Sequence, residues 1–122
     1  MNPGILTLAQ SHSYESEEQP LVAAALLVFQ LPIPVTPRFV DVVLICRTAD
    51  NGYAVGDEIG AETLESTAVN NASIQVIRTN GLVTVKTGTT FITMEKGTTV
   101  VYSTITVSRW TVKVYAQWPP LT

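Results

Sequence analysis

The chain has 122 residues, one domain by size with material for a single modest core, which excludes a two-domain enzyme. With 46% hydrophobic and 14% charged residues and a mean hydropathy of +0.27, it is too apolar for disorder. It is also short of charge for a free-standing monomer, which points to surface buried against a partner. Seven Lys plus Arg against ten Asp plus Glu give a net charge of -3, so there is no electrostatic footprint for a phosphate backbone and nucleic acid is not an expected partner.

Residues 1–20 read as an N-terminal anchoring arm ahead of a β domain over 21–122. The arm opens Met1-Asn2-Pro3-Gly4, carries an apolar patch with Ile5, Leu6 and Leu8, and ends in a Ser/Glu-rich stretch at Pro20. It is too short to fold alone, so it frays or docks on a neighbour, and the Ile5/Leu6/Leu8 patch is the expected anchor. The single histidine, His12, lies in that stretch and offers no rigid triad base; with Cys46 as the single cysteine there is no Cys/His zinc set and no internal disulfide. No catalytic residue, cofactor or metal is therefore assigned. No Lys or Arg precedes residue 20, so no signal-peptide n-region is read there, and the longest apolar run, Leu21–Phe29, is well short of the about 20 residues a spanning helix needs. The expectation is a chain neither exported by that route nor inserted in a membrane.

From Leu21 the pattern is β. Thr and Val dominate, and both favour pleated surfaces. Leu21–Phe29 reads as a buried strand confined by Pro20 and by Pro32, Pro34 and Pro37, with Pro34-Val35-Thr36-Pro37 keeping the chain extended. Phe39–Arg47 is apolar on nearly both faces, the mark of a central or doubly covered strand, and makes Cys46 a small core residue. Asn80-Gly81 between two strand patterns predicts a type I′ hairpin, and Lys96-Gly97 turns Phe91–Met94 into Val100–Ile105. The last strand alternates, with Trp110, Val112, Val114, Ala116 and Trp118 on one face and Thr111, Lys113, Tyr115 and Gln117 on the other, before Pro119-Pro120 stops it. Seven to eight short strands predict an all-β fold, an antiparallel, jelly-roll-like β-sandwich with an extended N-terminal arm. Most strands carry one charge or none, so their faces are where a partner is expected.

The stretch from Asp50 to Ile59 is the most distinctive. Gly52 and Gly56 flank Tyr53 and Val55 in a tight loop, and Asp50, Asp57 and Glu58 present oxygens either to a hard cation or, without the spacing of an EF-hand, to the loop's own backbone. Asp57, Glu58, Glu62 and Glu65 supply carboxyls from which a glycosidase pair could be drawn, against the simpler reading of a solvated acidic loop. Trp110 and Trp118 fall on the apolar face and read as core. Tyr115 lies on the other face, a surface contact.

The segments Val42–Ala49 and Gly52–Ile59, and more weakly Arg109–Ala116, resemble a module of tailed-bacteriophage virion proteins found near the ends of tail-fibre and related receptor-binding chains. The resemblance covers about a fifth to a quarter of the chain and is a fold signature, not a chemical site. It implies a small, commonly trimeric β-sandwich that makes contacts without catalysis. The expected function is therefore a non-enzymatic virion protein. It would be a tail-fibre, receptor-binding or appendage component, or, given a short chain with its own arm, a capsid decoration or head-fibre protein. Expected partners are copies of itself, a trimer being favoured over an isologous dimer, other virion proteins and host cell-surface glycan, with Asp50, Tyr53, Asp57 and Glu58 as the contact loop. A reading of another class, a carbohydrate-binding module or small glycan-active enzyme, uses the acidic loop and exposed aromatics.

Overall fold

A computed structural model describes residues 12–61 and 73–119. The proposed anchor residues Ile5, Leu6 and Leu8 and the carboxylates Glu62 and Glu65 lie outside the described residues. The chain is all-β and antiparallel, as its residue pattern requires. Its strands are β1 (Ser13–Glu15), β2 (Gln19–Pro20), β3 (Leu26–Gln30), β4 (Phe39–Cys46), β5 (Glu58–Gly60), β6 (Ile74–Thr79), β7 (Leu82–Thr87), β8 (Ile92–Met94), β9 (Tyr102–Thr104) and β10 (Trp110–Gln117).

The first sheet runs β1-β10-β4-β5, with β2 beside β1 on the same edge of β10; the second runs β3-β7-β6; β8 and β9 form a separate hairpin. The spine is β10 against β4, in register from Trp110↔Cys46 to Gln117↔Phe39. Because side chains alternate along a strand, Trp110, Val112, Val114 and Ala116 all enter the core beside Val42, Leu44 and Cys46. Leu27, Phe29, Val83 and Val85 of the second sheet join the same cluster, so both sheets bury one face in a single core.

Residues 12–20 belong to the sheet, which corrects the arm boundary at 20. Ser13–Glu15 pair with Gln117–Tyr115, and Gln19–Pro20 with Val112–Thr111. Between these pairs the outer strand has Ser16, Glu17 and Glu18 opposite only Lys113 and Val114, a bulge of one residue. Ser16 makes the bulge tolerable. Its N–H donates to the Val114 carbonyl, and its Oγ accepts the Val114 N–H at 2.9 Å in place of a missing backbone carbonyl. Further along, Gln19 Nε2 donates to the Val28 carbonyl at 2.7 Å, tying the first sheet to the edge of the second.

Three local expectations change. Leu21–Phe29 is not one buried strand. Ala24 takes a positive φ of +50°, the Thr87 hydroxyl accepts the Ala25 N–H and donates to the Val22 carbonyl, and the strand starts only at Leu26. Leu26 and Val28 then face outward, at 64% and 48% exposure, while Leu27 and Phe29 are buried. The Asn80-Gly81 hairpin forms with Thr79 opposite Leu82, but only Gly81 has a positive φ (+81°), the pattern of a type II turn. The proline loop imposes it. Gly81 donates to the Val35 carbonyl and accepts from the Leu31 N–H.

The third concerns charge. Val43 and Ile45 lie on the outer face of the first sheet yet are only 8% and 4% exposed. They are flanked across the ladder by Lys113 and Thr111 on one side and by Gly60 and Glu58 on the other. Glu18 caps this face. It accepts two hydrogen bonds from Arg47 and one from the Thr111 hydroxyl, and Lys113 pairs with Glu15. Long charged side chains lay their stems over the apolar surface and keep their heads wet. The first sheet's outer face is thus charged, contrary to the reading of charge-poor strand faces, which describes only the second sheet.

These bonds hold the Glu18 carboxyl at about 2, down from 4.5, chiefly through Arg47 and then Thr111. A depressed carboxylate contributes stability above its unfolded value that disappears as pH falls through the folded one. We therefore expect wild type to lose its advantage over Glu18→Gln between pH 4.5 and about 2. The pair is well exposed to water, so the gap at neutral pH is about 1 kcal/mol or less. Urea unfolding of both proteins at pH 6 and pH 2.5 checks it; a gap of the same size at both pH values would contradict the assignment.

Candidate contact site

The loop that follows β4 is built on an Asn-Gly turn. Asn51 (φ +50°) and Gly52 (φ +84°) provide the two positive φ values of a type I′ connection, and Asp50 and Tyr53 exchange backbone hydrogen bonds across it. A side chain at Gly52 would meet Lys96 as well as strain its φ, since a Cβ there would stand 3.6 Å from Lys96 Cβ.

Each predicted loop residue has a distinct place. Asp50 is buried, 8% exposed, and is a bracket for the fold. Its carboxylate accepts the Thr106 N–H at 2.7 Å and the Trp110 Nε1–H at 2.9 Å, both on Oδ2, and the Thr106 hydroxyl on Oδ1. Tyr53 stacks edge-on against Trp110, centroids 5.5 Å apart at 72°, and donates its hydroxyl to the Met94 carbonyl at 2.9 Å. Asp57 accepts the Ala54 N–H at 2.9 Å and pairs with Lys96. The Lys96 ammonium, then the Ala54 bond, lower its carboxyl from the ordinary aspartate value. Glu58 leaves the loop for β5, opposite Ile45. Asp50, Tyr53 and Asp57 are therefore brought together with the β8–β9 hairpin, and Glu58 goes to the charged sheet face.

The loop's carboxylates meet donors of the protein itself. Both oxygens of Asp50 and the Oδ2 of Asp57 accept from internal donors, and among the described residues no group of three His, Cys, Asp or Glu stands close enough to hold a metal ion. Asp57 and Glu58 also do not form a facing carboxylate pair, one being tied to Lys96 and the other lying in the β5 ladder. Burial raises the Cys46 thiol, with Asp50 adding to it, and the Sγ–H donates to the Thr48 carbonyl at 3.1 Å. That is a core cysteine. Trp110 and Trp118 are core as well, at 2% and 3% exposure, while Tyr115 lies half-buried on the sheet's outer face under Lys113, whose Nζ is 5.6 Å from its ring.

Sequence reasoning missed what the loop presents. The Lys96–Asp57 pair, the Lys96 N–H on the Asn51 carbonyl and the Tyr53–Met94 bond fasten the loop to the hairpin. On this fastened pair stand Val55, Met94, Val100, Val101 and Tyr102, exposed at 63%, 38%, 80%, 42% and 54%. Only the run Thr98-Thr99-Val100-Val101-Tyr102 signals it, and there the strand pattern reads as core because Val and Tyr are good strand formers in either setting. A fixed backbone displaying apolar side chains loses little entropy on binding, so the arrangement suits contact with another macromolecule. No family model, no curated protein and no solved structure matches the chain.

Proposed function

We propose that the chain is a non-enzymatic bacteriophage virion structural protein, a tail-fibre, receptor-binding or appendage component that assembles with copies of itself and contacts neighbouring virion proteins or the host surface. The observation that carries the contact role is the apolar display on the Asp50–Asp57 loop and the β8–β9 hairpin, with Val100 80% and Tyr102 54% exposed on an internally bonded frame. The resemblance of Val42–Ala49 and Gly52–Ile59 to the phage module supplies the virion setting and the preference for a trimer. A capsid decoration or head-fibre protein is the same reading at another place on the particle.

Static light scattering on the purified chain at micromolar concentration tests it. An oligomer is expected, and Tyr102→Ser combined with Val100→Ser shifts it toward monomer with the urea midpoint unchanged, since both side chains are already in water. A wild-type protein that stays monomeric overturns the assembly claim.

A further inference from the structure

One hollow lies at an end of the first sheet, far from the contact loop. Arg38 and Phe39 open β4, whereas the loop follows Cys46 at its other end, about 23 Å away at 3.3 Å per residue. The hollow is open, about 460 Å³, and is bordered by His12, Arg38, Phe39, Gln117, Trp118 and Pro119. That volume falls within the range of small-ligand sites.

Its chemistry is one-sided. Four of the chain's seven cations stand near carboxylates: Arg47 with Glu18, Lys96 with Asp57, Arg109 with Asp50 and Lys113 with Glu15. Arg38 has no such partner among the described residues, and the guanidinium of Arg78, also outside any ion pair, donates to the Arg38 carbonyl. Two cations without carboxylate partners among the described residues thus converge on one end of a protein whose net charge is -3. Beside them Phe39 is 64% exposed, an aromatic ring left in water at a strand end. Trp118 contributes a wall only, since its indole is buried in the core. Asp41 is the nearest described anion along β4, two residues on and on the same face as Phe39, about 7 Å along the strand. An anion is therefore favoured on the Arg38 side of the ring.

We propose that this hollow binds an acidic sugar: a pyranose whose C–H face lies on the Phe39 ring and whose carboxylate is held by the Arg38 guanidinium, with the Gln117 amide at the rim. Guanidinium matches carboxylate in planar, charge-assisted geometry, and an aromatic face suits the apolar side of a sugar ring. A simple anion would not need the ring, and a neutral sugar would not need the arginine. The site stands independently of assembly through the loop and hairpin, so either proposal can fail alone.

The test is titration of the ¹⁵N-labelled full chain with tri-galacturonic acid, its methyl ester and poly-glutamate, following backbone amides. The acid is expected to give saturable shifts centred on Arg38, Phe39 and Gln117, with the ester about tenfold weaker or more. Arg38→Gln and Phe39→Ser, both changes of exposed side chains checked by unchanged urea midpoints, each weaken binding about tenfold or more. Three results overturn it: no saturable shift by roughly 10 mM acid, the millimolar limit of specific recognition; binding that survives Phe39→Ser; or poly-glutamate binding as well as the sugar, which reduces the site to charge alone. Shifts centred on Val100 and Tyr102 instead would also overturn it, moving the sugar to the contact end.

Discussion

Replacing Asp50 by Ala is expected to cost about 2–4 kcal/mol, a large part of the roughly 5–15 kcal/mol a domain of this size possesses. The reason is what remains behind. The carboxylate takes the Thr106 N–H, the Thr106 hydroxyl and the Trp110 indole N–H, and Arg109 approaches it at 3.9 Å. Removing it leaves the buried Trp110 indole N–H without an acceptor and the part-buried Thr106 N–H to water, and an unpaired buried donor forfeits its full desolvation energy. Asn at this position keeps the shape and one acceptor oxygen but turns an NH₂ toward a donor, so Asp50→Asn should cost less, about 1–3 kcal/mol. Urea unfolding at neutral pH measures both, and an unchanged slope shows that the native state and not the unfolded ensemble has been altered. The Trp110 indole proton gives a local reading, since it should exchange with solvent faster in the Ala variant. A loss under about 1 kcal/mol for Asp50→Ala would mean that water replaces the carboxylate at no penalty.

That residue shows how far a sequence reading reaches. The sequence places Asp50 in the contact loop, its oxygens offered to a hard cation or to the loop's own backbone. The fact that changes its meaning, the proximity of Trp110, spans 60 positions of the chain and has no local signature. By contrast β10 was legible strand by strand, because strict alternation from Trp110 to Ala116 has one physical cause, a face in the core and a face outside. The β4 pattern was half legible. Apolar residues on both faces predict double covering, and Val43 and Ile45 are indeed buried on the outer face, where Lys113, Thr111, Gly60 and Glu58 flank them across the ladder. The pairing of Ser13–Pro20 was invisible for a related reason. Ser16, Glu17 and Glu18 break the strand pattern, and only the Ser16 hydroxyl on the Val114 N–H and the Glu18–Arg47 pair explain why a Ser/Glu stretch lies on a sheet edge. Short elements held by tertiary bonds lack the periodicity that reports longer ones.

The second large effect is expected at Phe91, which joins the hairpin to the rest of the molecule. Among the described residues the β8–β9 hairpin pairs with no other strand, and an isolated two-stranded hairpin is marginal in water. Phe91 is fully buried and Ile105 is 3% exposed, and the Ile105 N–H donates to the Phe91 carbonyl, so the two close the base of the hairpin inside the core. Phe91→Ala should cost about 3–5 kcal/mol through lost transfer energy and a cavity that the flanking strands cannot fill. Its distribution matters as much as its size. Amide exchange at Thr93 and Thr104 should accelerate before exchange at Val112 and Leu44, because the first sheet keeps its own ladder while the hairpin loses its plug. The polar contacts from the loop, Tyr53 to Met94, Asn51 to Thr104 and Lys96 to Asp57 and Asn51, would then bear more of the hairpin. If copies meet through Val100 and Tyr102, the same variant must also weaken assembly, since those side chains keep their chemistry but lose their fixed placement and each contact must then order the hairpin first. Uniform loss of protection across hairpin and sheets would instead make Phe91 an ordinary core residue, and unchanged assembly in a protein with a loosened hairpin would remove this end of the molecule from the interface.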